Sequence, residues 1–177
     1  MHRLFVAIRP PETVRKLLLG AMGGISGARW QTEAQLHLTL RFIGEVDRHR
    51  GVDVHAALGG LHHPRFEIAL SGLGAFERRG QPVTIWAGVT PQEPLRTLHK
   101  KIDQAMLRVG VEPDQRAFFP HITLARLKPT SGRIRGLLEQ SGGLSSEPFP
   151  VDRFALFEST LTPEGAVYTA VETYKLD

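Results

Sequence analysis

Residues 36–44 read LHLTLRFIG and alternate apolar with polar. A period of two predicts a strand, with Leu36, Leu38, Leu40 and Phe42 on the core face. His37, Thr39 and Arg41 then share the other face. Residues 118–127, FFPHITLARL, predict a second strand with the same His-x-Thr-Leu at its centre. The run RLFVAI at 3–8 predicts a buried strand, ended by Pro10 and Pro11. Further strands are predicted at 65–76, 82–89, 149–159 and 166–176, with a Thr-Pro-Glu-Gly turn at 162–165 before the last.

Helical spacing marks residues 12–22, where Val14, Leu17, Leu18 and Met22 form one stripe and Gly23-Gly24 stop it. The clearest helix is 93–110, with Leu95, Leu98, Ile102, Ala105, Met106 and Val109 on one side. Shorter helices are predicted at 52–61 and 133–140. Strands and helices are intermixed, and several strand pairs are joined by hairpin-length links. That order predicts an α+β fold of mainly antiparallel sheet, not a doubly wound parallel one. The two motifs lie 84 residues apart, each on a strand that leads to a helix. Such a repeat predicts one domain over 1–177, bilobal, with two pseudo-symmetric lobes and a central cleft.

Composition narrows the chemistry. The chain has no cysteine, which excludes disulfides, thiolate nucleophiles and Cys-containing zinc sites. No stretch is long enough to cross a bilayer, and the opening run is too short for a signal peptide. The expectation is a soluble, cytoplasmic monomer. Net charge is +4, with 17 arginines against 5 lysines. Arginine's planar fork suits phosphate, although a codon bias toward arginine gives the same count.

The doubled motif carries the candidate chemistry. One His-x-Thr arises by chance about once in a chain of this composition, and a lone strand histidine is usually structural. Two copies, both followed by leucine inside apolar strands, ask for a shared cause. His37 and Thr39 project together, as do His121 and Thr123. Facing lobes would offer two imidazoles and two hydroxyls to one group. Opening a cyclic phosphodiester needs that set: a base for water on one side of phosphorus and an acid for the departing oxygen on the other. Histidine titrates near neutrality, and threonine hydroxyls donate to non-bridging oxygens.

At these residues the chain resembles the two-histidine phosphoesterase superfamily, marked by paired His-x-Thr/Ser-x motifs. It is most similar to the RNA 2′,3′-cyclic phosphodiesterases, also called 2′-5′ RNA ligases. RLFVAI, RWQTEAQLHLTLRFIGEV, GLGAFERRGQPVTIWAGV, FFPHITLAR and ALFESTLTPEGAVYTAVETYKL carry the likeness. The resemblance implies metal-independent hydrolysis of a 2′,3′-cyclic phosphate to a 2′-phosphate, with no cofactor. It also implies reversible 2′-5′ ligation, and partners that are RNA ends or nucleotides with that cyclic group, tRNA halves included. It assigns His37 as proton donor, His121 as proton acceptor and Arg126 as a phosphate or base contact.

Arg126 stands five residues after His121, so an ideal strand turns it away unless a bulge intervenes. Arg41 has the parity of His37 and is a second phosphate candidate. Phe118 is expected to wall the cleft. His62 and His63, before Pro64, lack further partners for a metal. The main competitor to an enzyme is a non-catalytic module that holds a nucleotide in the same cleft. A purely structural pair of buried histidines is the third reading.

Overall fold

A computed structural model describes residues 1–177. Its strands are β1 (His2–Ile8), β2 (Arg29–Trp30), β3 (Leu38–Val46), β4 (Phe66–Arg78), β5 (Gln81–Thr90), β6 (His121–Arg126), β7 (Phe149–Val151), β8 (Arg153–Thr162) and β9 (Gly165–Lys175). The helices are α1 (Glu12–Gly20), α2 (Arg48–Gly59), α3 (Glu93–Arg108) and α4 (Arg135–Ser141). No helix is long and apolar enough to cross a membrane.

All strand pairs are antiparallel. They run β7-β4-β5-β6-β3-β1-β8-β9, with β2 beside β6. The expected lobes therefore share one continuous sheet. Their seam is the pairing of β3 with β6, where Leu38 lies opposite Ile122. Each half follows the order strand, helix, motif strand, helix, strand. The first half's closing strand, β4, crosses to flank β5; the second half's, β8, flanks β1. Each half thus completes the other's sheet, which ties the two motifs to one rigid frame.

Alternation along β1 separates two apolar layers. Leu4, Val6 and Ile8 join the large core beneath the helices, with Val14, Leu18, Leu98 and Ile102. Phe5 and Ala7 join Phe157 on the opposite face, with Tyr168 against them. The second face packs beneath the His37 ring, 5.0 Å from Phe5, so β1 is apolar on both sides and reads as an unbroken run.

Several boundaries move for local reasons. Asp47 accepts a hydrogen bond from the Arg50 amide, so α2 starts earlier than the apolar pattern implied. The strand expected over 149–159 is two: β7 pairs with β4, and after Asp152 the chain pairs with β1 and β9. The two-residue β2 was not foreseen, being too short to show a period.

Candidate active site

Both motif strands carry a β-bulge at the same place. In β3, Val6 faces Arg41 and Ala7 faces Thr39, leaving Leu40 as the extra residue. In β6, Ile85 faces Ala125 and Trp86 faces Thr123, leaving Leu124 extra. A bulge adds one residue and reverses the parity of everything after it. His, Thr and Leu therefore correspond between motifs, and so do Arg41 with Ala125 and Phe42 with Arg126.

This corrects two expectations. Arg41 turns to the helix side, is 3% exposed and pairs with Asp103 of α3 at 2.8 Å. Its remaining nitrogens donate to the carbonyls of Phe42 and Glu112. It is a buried tie between β3 and α3, and is not available to a phosphate. Phe42, given to the core by simple alternation, is 47% exposed on the cleft face. Its ring stands 6.3 Å from Phe5, with the Arg116 guanidinium 5.6 Å above it. Arg126, by contrast, is brought by its bulge to the face of His121 and Thr123.

The histidines are held alike. His37 Nδ1 donates to the Gln35 carbonyl at 2.6 Å, and His121 Nδ1 to the Phe119 carbonyl at 2.6 Å. A carbonyl only accepts, so Nδ1 carries the hydrogen and Nε2 is the free corner of each neutral ring. Aromatic rings brace both: Phe5 at 5.0 Å and Tyr168 at 5.1 Å for His37, Phe76 at 4.9 Å and Phe119 at 6.0 Å for His121. Neither threonine hydroxyl is tied to a protein group; the one buried side-chain donor lacking a partner is Trp86 Nε1.

Burial pushes both imidazoles toward the neutral form. His37 is lowered to about 4, chiefly by desolvation, opposed by its backbone hydrogen bond and reinforced by the charges of His121, Arg126 and Arg9. His121 is lowered by desolvation, opposed by its own backbone bond and reinforced by Arg126. Arg126 thus acts on both rings, and each ring lies within the field of the same small region.

Phe118 is a further correction. It stacks on His99 at 4.1 Å with planes 7° apart, on the helix side. The cleft residue is Phe119, 37% exposed and 5.0 Å from Trp86. Parity held the signal, because 119, 121 and 123 share a face. The same alternation places Arg9 beyond Phe5 and Ala7, where its Nη1 donates to the Ala34 carbonyl at 2.9 Å. No three His, Asp or Glu side chains gather in metal-binding geometry; His63 is 4% exposed and bonds the Pro64 carbonyl.

Known proteins are similar to this chain in sequence and share its fold. A family model described as the 2′-5′ RNA ligase superfamily matches residues 26–162. An RNA 2′,3′-cyclic phosphodiesterase of Thermotoga maritima is 33% identical over 172 residues, covering 94% of this chain and 91% of that protein. A crystal structure of a Thermus thermophilus protein superposes with a TM-score of 0.83 at 31% identity, covering 98% of this chain and 97% of that one. The structure of E. coli LigT with 3′-AMP gives 0.81 at 25% identity, over 99% and 98%. With two bulged His-x-Thr-Leu strands meeting at one seam, and with these relatives over almost its whole length, the chain belongs to the 2′-5′ RNA ligase superfamily, among the RNA 2′,3′-cyclic phosphodiesterases.

Proposed function

We propose that the protein hydrolyses 2′,3′-cyclic phosphate ends of RNA and nucleotides to 2′-phosphates, without a metal, by acid–base work of His37 and His121. The observation that supports this most is the matched pair of Nε2 atoms, each freed by a carbonyl two residues back, on strands that pair directly. E. coli LigT has been crystallised with 3′-AMP, NADP+ and ATP, which fits a cleft that accepts nucleotides.

Neutral His121 takes a proton at Nε2 from water as its oxygen bonds to phosphorus. The bond from phosphorus to the 3′ oxygen breaks on the far side, and His37 Nε2–H protonates that oxygen. Thr39, Thr123 and Arg126 donate to the non-bridging oxygens, where charge is concentrated. If the 5′-hydroxyl of a second RNA replaces water, the same steps give a 2′-5′ linkage. His37 must be protonated to act as acid, and the free protein holds it neutral near pH 7. The arriving phosphodiester supplies the negative charge that raises both imidazoles.

The stronger depression of His37 favours a second reading with the roles exchanged. Product identity decides between them for a given pose: phosphorus NMR should show the 2′-phosphate, whereas a 3′-phosphate would reverse the roles. The function itself is tested by turnover of adenosine 2′,3′-cyclic phosphate in excess chelator. His37→Ala and His121→Ala should each lower kcat by at least about a hundredfold with the fold retained, since acid and base each contribute about 10² to 10⁴. Near-normal turnover in either variant, or dependence on a divalent ion, would reject the mechanism. Nucleotide binding with no turnover in the intact protein would mark a binding module instead.

A further inference from the structure

Across the sheet, Arg126 has two partners in one row: Thr84 of β5 on one side and Arg29 of β2 on the other. Residues directly opposite in antiparallel strands point to the same face. The next row, Ile85, Ala125 and Trp30, packs into the core beneath the helices. The row of Thr84, Arg126 and Arg29 therefore lies on the cleft face. Two arginines directly opposite one another repel, and such a pair is destabilising unless something negative lies between or above them. Neither takes part in an ion pair with any acidic side chain, although eight such pairs form elsewhere. Both residues are exposed.

The guanidinium of Arg29 reaches toward the β8–β9 turn: a Cβ on Gly165 would come within 2.8 Å of its Nη2. Gly165 has a φ of +123°, so the turn is open there for two reasons, conformation and close approach. The same hairpin carries Tyr168 to the ring of His37. Arg29 thus stands at the mouth of the site.

We infer that Arg29, opposed to Arg126, holds a second phosphate: the one on the 5′ side of the terminal ribose. This rests on the phosphodiesterase reading above. Arg126 faces the scissile group on one side and this second anion on the other, and the repulsion between the two arginines is relieved only when both phosphates are present. The site then distinguishes an RNA end from a bare nucleoside cyclic phosphate without reading any base. The second phosphate is either the internal phosphodiester of an RNA or the 5′-phosphate of a mononucleotide.

The test compares kcat/KM for three substrates: adenosine 2′,3′-cyclic phosphate, its 5′-phosphorylated form, and the dinucleotide ApA ending in the cyclic group. The wild-type protein should prefer both two-phosphate substrates over the nucleoside cyclic phosphate, by about tenfold and mainly through KM. Arg29→Ala should remove that preference, and Arg29→Lys should restore part of it. With the dinucleotide, the dependence of log(kcat/KM) on log salt should flatten by about 0.7 in Arg29→Ala, the value for one lost contact to a single strand. A gain with the dinucleotide alone would assign the site to the internal phosphodiester; a gain with both would assign it to any 5′ phosphate. The same preference in Arg29→Ala as in wild type, or none in wild type, would overturn the inference. Absence of turnover of all three substrates by the wild type would instead reject the underlying function. Thermal unfolding without anion gives a readout apart from activity. Removing one of two opposed charges should leave Tm level or higher, and a marked fall would show Arg29 to be structural.

Discussion

Arg41 and Phe42 show where reading a chain by alternation works and where it stops. Leu36 and Leu38 are buried and His37 and Thr39 face the cleft, as a period of two requires. One extra residue at Leu40 then exchanges the faces of the next two side chains. Nothing in the residue types announces that bulge; it is fixed by the partner strand, where Val6 and Ala7 must face Arg41 and Thr39. The same event at Leu124 turns Arg126 toward the histidines, so its five-residue offset from His121 is no obstacle. The prediction at this scale concerns Arg41→Ala. It leaves Asp103 without its 2.8 Å partner and two carbonyls without donors. Breaking such a tie should cost about 3 kcal/mol, seen as a lower urea midpoint. Turnover per folded molecule should stay near wild type; a loss of kcat with full stability would return Arg41 to the site.

At the level of elements, the hairpin of β4 and β5 supplies the wall behind His121. Gly74 lies opposite Trp86, and a Cβ there would overlap the indole. The indole in turn lies 5.5 Å from Phe76 and 6.5 Å from the His121 ring. Both strands were legible as apolar runs, and their hairpin link was short enough to read. The aromatic seat of His121 was not legible, because Phe76, Trp86 and Phe119 come from three separate segments whose register is set only in the assembled sheet. Gly74→Ala must displace the indole or bend β4. Overpacking of this kind costs about 1–3 kcal/mol. We expect a lower Tm together with reduced kcat, since the displaced ring presses on Phe119, whose carbonyl orients His121. An unchanged kcat would show the wall to be independent of the imidazole.

For the whole molecule, the doubled motif disclosed the two-part plan, whereas the shared sheet and exchanged closing strands depend on long-range pairing that no local pattern encodes. That frame places two imidazoles and several arginines together in one partly buried cleft, and acid should therefore strain it. Both histidines titrate lower in the folded protein than in the unfolded chain, where the ordinary value is 6.5. The unfolded state then binds more protons as pH falls from 6.5 toward 4, so stability is intact above the window and declines within it. For His37, lowered to about 4, the loss amounts to about 3 kcal/mol once the pH is below that value. An anion between the rings opposes this, because its charge raises both imidazoles. Sulfate keeps its charge across the range, so any pH dependence of its effect belongs to the protein. Its stabilisation of the fold, measured as a rise in Tm at fixed concentration, should be larger at about pH 5 than at about pH 8. His37→Asn should shrink that difference and also flatten the acid decline of the ligand-free protein. By the same linkage the optimum of kcat/KM, which reports the free protein, should lie at lower pH than the optimum of kcat, which reports the complex. Equal sulfate effects at the two pH values, with coincident optima, would mean that the two histidines do not share one anion.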